Sequence, residues 1–122
     1  MPGVGMTVTD FLDALEIYVP ETRPMVDEHL VDHAGVLLDV LTADLRRYAI
    51  QSFDAGRCDV LCRLLAVVDR ALREGTDDLQ NAVAVSFVGG TGWWDCPAAQ
   101  PFIEAWPAGL RAEVDRQRGQ HQ

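Results

Sequence analysis

Apolar residues recur at intervals of three and four along most of the chain, interrupted by short breakers, and this spacing predicts helices. In TVTDFLDALEIYVP, Phe11, Leu12, Leu15 and Val19 share one face, Thr7 or Thr9 can cap the first turn, and Pro20 closes the segment. Asp10 there suits the positive end of a helix. PMVDEHLVDHAG places Pro24 at a first-turn position, spaces Met25, Val26, His29, Leu30 and His33 helically, and stops at Gly35. The longest candidate, VLLDVLTADLRRYAIQSFDAG, lines up Leu37, Leu38, Leu41, Leu45, Tyr48, Ala49 and Phe53 before Gly56, a residue suited to a left-handed end.

A second glycine-terminated helix follows at once. In RCDVLCRLLAVVDRALREG, Val60, Leu61, Leu64, Leu65, Val68, Ala71 and Leu72 form a wide apolar face up to Gly75, 19 positions after Gly56. Connections this short force consecutive helices to pack antiparallel. TDDLQNAVAVSFVGG is ambiguous, because VAVSFV has strand-like composition. Thr76 as N-cap, two acids behind it, and Leu79, Ala82, Val83, Ser86 and Phe87 at helical offsets favour a helix. A loop follows, then a turn or short helix near Pro97, then a final helix from Pro107 to about Arg118 with Leu110 and Val114 inward. The expected fold is all-α: one domain over residues 1–122, a compact bundle of about five to six helices, with HEAT-like stacked antiparallel pairs as one arrangement. Residues 1–6 and 117–122 are expected to fray.

Charge changes the picture more than composition does. The chain has 122 residues and a formal charge of −9. Residues 1–44 hold nine acids against the single Arg23, a net −8, so nearly all the imbalance sits in the first third. Nucleic acid and anionic membranes, which need cationic surface, are unlikely partners on this ground, whereas a basic protein would be attracted. No apolar run is long enough to span a bilayer, and MPGVGMTVTDF lacks the basic and hydrophobic regions of an export signal. A soluble, cytoplasmic protein with reduced thiols is therefore expected, in keeping with its odd count of three cysteines.

Candidate chemistry centres on FVGGTGWWDCP. As a phosphate loop it lacks a preceding strand, the last glycine of G-x-G-x-x-G and any lysine. Cys58 and Cys62 share a helix face that Cys96 could join, and His29 and His33 repeat the same spacing, but HLVDH has leucine where a zinc-protease helix has glutamate. Cysteines among leucines ordinarily behave as small hydrophobes. No motif supports a Cys96–histidine nucleophile, so no catalytic residue, metal or cofactor is assigned. Trp93, Trp94 and Trp106 fall within 14 residues. Adjacent side chains cannot share one face of a regular element, so at least one of Trp93 and Trp94 should be partly exposed, the alternative being that both rings fold down to cap the end of a small core. Tryptophan dominates interface hot spots, where a truncation costs more than about 2 kcal/mol.

The order FLDAL, GVLLDVLTADLRRY, LLAVVDRALREGTDDLQNAVAVSFV and WPAGLRAEV resembles a group of small all-helical bacterial immunity-like proteins that neutralise toxins. The similarity covers roughly residues 9–115 and is most specific in DDLQNAVAVSFV, residues 77–88, where an x-L-Q-N-x-(V/I)-A-V-S-F pattern recurs; GGTGWWDC departs from it. The resemblance implies an all-helical fold, binding of a toxin domain and no catalysis. Together with the charge pattern it leads to an expected interface of Asp27, Glu28, Asp32, Asp39 and Asp44 for steering, and Trp93, Trp94, Asp95 and Trp106 for anchoring. The competing expectations are a small metal- or thiol-dependent enzyme built on the cysteines and histidines, and a self-associating helical scaffold.

Overall fold

The computed structural model describes residues 5–32, 37–89 and 100–120. Within them the chain forms seven α-helices and no strand: α1 (Val8–Tyr18), α2 (Arg23–Asp32), α3 (Leu38–Asp54), α4 (Cys58–Glu74), α5 (Asp77–Ala82), α6 (Gln100–Glu104) and α7 (Ala108–Gln120). A 3-10 turn, Pro20–Thr22, joins α1 to α2, and α5 continues as a π-helix over Val83–Gly89. No described helix is long and apolar enough to cross a membrane. The all-α expectation holds, and the short α6 raises the helix number above the five or six anticipated.

Local chemistry explains most boundaries. Thr7 closes a reciprocal capping box on α1: its hydroxyl accepts the Asp10 N–H at 3.1 Å, while Asp10 Oδ2 accepts the Thr7 N–H at 3.1 Å. At the far end of α3, Gly56 adopts φ 74°, the left-handed conformation that reverses the chain toward α4. Gly75 does not repeat that device, contrary to the parallel between the two glycine-terminated helices. It is extended (φ −71°, ψ 163°) and pairs with Met6 in an isolated parallel bridge. Met6 donates to Glu74 O, and Thr76 N–H donates to Met6 O at 2.9 Å. Met6 is thereby buried, so fraying does not extend through residue 6. Fraying does not begin at residue 117 either, because α7 runs to Gln120 and Gln117 makes two hydrogen bonds.

The core is continuous from α1 to α7. Phe11, Leu15, Leu41, Leu45, Ala49, Leu64, Leu65, Leu79, Phe87, Leu110 and Val114 are almost wholly buried, matching the faces read from the spacing. VAVSFV resolves as π-helix, in which hydrogen bonds skip to the fifth residue. The widened turn places Val83, Phe87 and Val88 inside together, while Val85 remains 52% exposed. Polar groups from two neighbours engage this stretch: Thr42 Oγ1 lies 3.3 Å from Ala82 O, and Gln117 Nε2 donates to Ala84 O at 2.8 Å.

Two polar clamps tie elements distant in sequence. On α4, buried Asp69 accepts Leu110 N–H at 3.0 Å, serving the first turn of α7, and also accepts Arg73 Nε at 2.8 Å. Gly109 lies against it so closely that a Cβ there would collide with Asp69 Oδ1. Arg63, also on α4, donates to Tyr18 O at 2.7 Å, to both Glu21 oxygens at 3.0 and 2.7 Å, and to Asp59 at 3.1 Å. This forked contact holds the α1–α2 corner on α4.

Candidate partner-binding surface

The acids expected to steer a partner separate into different grooves. Asp27 lines a cleft between α1 and α2 with Asp13 and Glu16, and it lies 3.7 Å from Arg23. Glu28 and Asp44 both line the α2–α3 groove, with Met25, His29 and Tyr48. Asp44 is ion-paired with Arg47, so its charge is locally neutralised. The Asp32 side chain lies outside the described residues.

Asp39 has a different setting. It lines a groove of about 430 Å³ between the start of α3 and α5, together with Leu37, Leu38, Val40, Asp78 and Asn81. Leu37 is 48% exposed and Val40 37% exposed, although both are large aliphatic residues. Asp39, Asp78 and Asn81 are exposed, and among the described residues none of their side chains makes a hydrogen bond or ion pair. Two carboxylates and an amide, unpaired among the described residues, thus line the groove beside exposed aliphatic side chains. Exposed apolar surface with a polar rim is the composition of an interface patch.

Local folding accounts for the exposure. Leu37 is the N-cap of α3, with extended backbone (φ −106°, ψ 98°), so it has left the helical face that Leu41 and Leu45 bury. Its N–H donates to Nε2 of buried His29 at 3.1 Å, which pins the α3 start to α2. An Nε2 that accepts leaves the neutral ring's proton on Nδ1. Asp78 and Asn81 project from the first turns of α5, inside the DDLQN motif. Thr76 is the α5 N-cap as expected, but through its backbone, with no side-chain capping bond.

The aromatic anchors are placed otherwise. Trp106 is 3% exposed and packs with Phe87 at a centroid distance of 5.7 Å and edge-on to Phe102 at 5.4 Å. Its ring belongs to the core, which corrects its assignment as a surface anchor; flanking α6, it is drawn inward by those two aromatic partners. Trp93, Trp94 and Asp95 lie outside the described residues, as do Cys96 and His33. Cys58 and Cys62 are exposed free thiols, not the small core residues expected, because they flank the face of α4 that buries Leu61, Leu64 and Val68 instead of lying within it. Among the described residues no group of three or more histidines, cysteines and acids is arranged to hold a metal ion.

Sequence reasoning therefore missed Leu37, Val40, Asp78 and Asn81. Leu37 continues the spacing of the core face and only its cap position separates it, whereas Val40 lies off that face, where a single exposed valine carries no signal. Asp78 and Asn81 look like ordinary helix-start polar residues until α3 is packed beside them. No curated protein and no solved structure matches the chain. The family model described as Domain of unknown function (DUF7674) matches residues 12–121, and over that span the chain belongs to this family.

Proposed function

We propose that the protein is an immunity-type binding protein that neutralises a cognate bacterial toxin by covering a basic surface of it with the α3–α5 face. The observation that supports this reading is the groove where Leu37 and Val40 are exposed beside Asp39 and Asp78, which have no ion-pair partner among the described residues. Apolar contact in the groove supplies short-range complementarity, and the carboxylates, with the −9 charge of the whole chain, favour a cationic partner. The resemblance of DDLQNAVAVSFV to immunity-like proteins points the same way, since that motif contributes Asp78 and Asn81 to the groove. In this role the protein performs no chemistry; blocking follows from occupying the toxin's surface.

Co-expression in a heterologous host with the product of the adjacent gene tests the proposal. Restored growth, together with a stoichiometric complex of the two purified proteins, is the expected result. A toxic neighbour that neither binds the protein nor loses toxicity would count against it.

A further inference from the structure

We infer that the α3–α5 groove is a recognition site for a single arginine side chain of the partner. The inference rests on the reading of this face as the partner-binding one and specifies what enters it. The groove has two chemically distinct parts. Its lining combines aliphatic Leu37, Leu38 and Val40 with the polar Asp39, Asp78 and Asn81. A lone aliphatic side chain would leave the charges desolvated and unmatched, which is costly. A lysine would place a compact, strongly hydrated charge against acceptors that come from two different helices. An arginine matches both parts: its methylene stem lies along apolar surface, while its planar guanidinium offers several donors at fixed angles to separate acceptors.

Glu28 and Asp13 in the neighbouring grooves are unpaired among the described residues too, but each of those grooves also holds an arginine, Arg47 or Arg23, whereas none lines this one. Asp44 in the α2–α3 groove is paired with Arg47, Asp27 lies near Arg23, and Glu21 and Asp59 share Arg63. Asp39 and Asp78 have no basic partner among the described residues. A guanidinium from outside could pair with a carboxylate here without breaking an ion pair within the protein. The groove's volume of about 430 Å³ accommodates one such side chain.

The test is a titration of the isotope-labelled full chain, followed by amide chemical shifts, with three probes: Nα-acetyl-arginine methylamide and its lysine and citrulline counterparts. Citrulline retains the shape and removes the charge. The arginine probe is expected to give saturable shifts confined to residues 37–40 and 78–81. The lysine probe should bind roughly tenfold more weakly, and citrulline should give no saturable shift. Asp39→Asn with Asp78→Asn should abolish arginine binding, whereas Glu28→Gln in the neighbouring groove should leave it unchanged. Equal binding of citrulline, shifts centred elsewhere, or no saturable response to arginine would overturn the assignment. A toxin complex that depends on Leu37 and Val40 while the arginine probe leaves the groove unshifted would remove the arginine assignment alone. Arginine binding in the groove with a complex indifferent to Leu37 and Val40 would remove the docking face instead.

Discussion

Asp69 on α4 accepts the backbone N–H of Leu110 at 3.0 Å, so a residue 41 positions earlier in the chain serves as the cap of α7. The carboxylate is buried and answers both the positive end of that helix and the Arg73 guanidinium. Removing it leaves an unsatisfied buried N–H and detaches the C-terminal helix from α4. Asp69→Ala is expected to destabilise the fold by about 2–3 kcal/mol, measured by urea denaturation. Gly109→Ala should also destabilise, because its new methyl meets the same carboxylate oxygen. A combined variant, Asp69→Ala with Gly109→Ala, should lose less than the sum of the two, since the first removes the atom the second strikes.

The Arg63 clamp predicts a pH dependence. Its hydrogen bonds to Glu21 hold that carboxyl well below its ordinary 4.5, down to about 2, with the residue's own backbone N–H assisting. A carboxyl depressed by folding adds stability above its ordinary value, and that stability is lost as pH falls through the folded value. The melting temperature of Arg63→Ala should therefore lie below that of the wild type at neutral pH, and the gap contributed by Glu21 should narrow between pH 4.5 and about 2. A gap that stays constant across that window would show that Glu21 is not the group responsible.

Gln117 sits at the seam between α7 and the π-helix. Its amide donates to Ala84 O and to Glu113 Oε2, each at 2.8 Å. Gln117→Leu removes the donor that serves a carbonyl of the π stretch and should cost about 1 kcal/mol, with faster amide exchange over residues 83–89. Gln117→Glu should be worse, because a carboxylate would then face both a carbonyl oxygen and Glu113. Equal exchange rates in all three proteins would show that the π segment does not depend on this contact.

Much of the fold was legible as periodicity, and the exceptions have physical causes. The buried faces of α1, α3, α4 and α7 follow from three- and four-residue spacing, and Gly56 ends α3 as its flexibility suggests. Spacing could not show that Leu37 steps out of its helix, since a cap depends on backbone angles that the residue type does not set. Nor could it show that Asp69 points inward, because its burial depends on α7 arriving from the far end of the chain. Trp106 misled for the opposite reason: a residue type common at interfaces also fills cores when Phe87 and Phe102 surround it. The acidic first third was visible at once, but which acid remains unpaired depends on where each arginine folds back.

The docking face also predicts how binding should respond to salt. Asp39→Asn with Asp78→Asn should slow association with a basic partner and flatten its dependence on ionic strength. Stopped-flow measurements at two salt concentrations would show this, and an unchanged salt slope would place the electrostatic contact elsewhere.

The most direct measurement of the central claim is the affinity of the proposed toxin partner, once purified, for three versions of this protein, by titration calorimetry. The wild type and Ile17→Arg, altered at a 69% exposed position on α1, should bind alike. Leu37→Arg with Val40→Arg should weaken binding by roughly 30-fold or more, the scale of a lost hot spot, with the melting temperature nearly unchanged. Undiminished affinity of the Leu37→Arg, Val40→Arg protein would contradict the proposal that the α3–α5 face meets the partner.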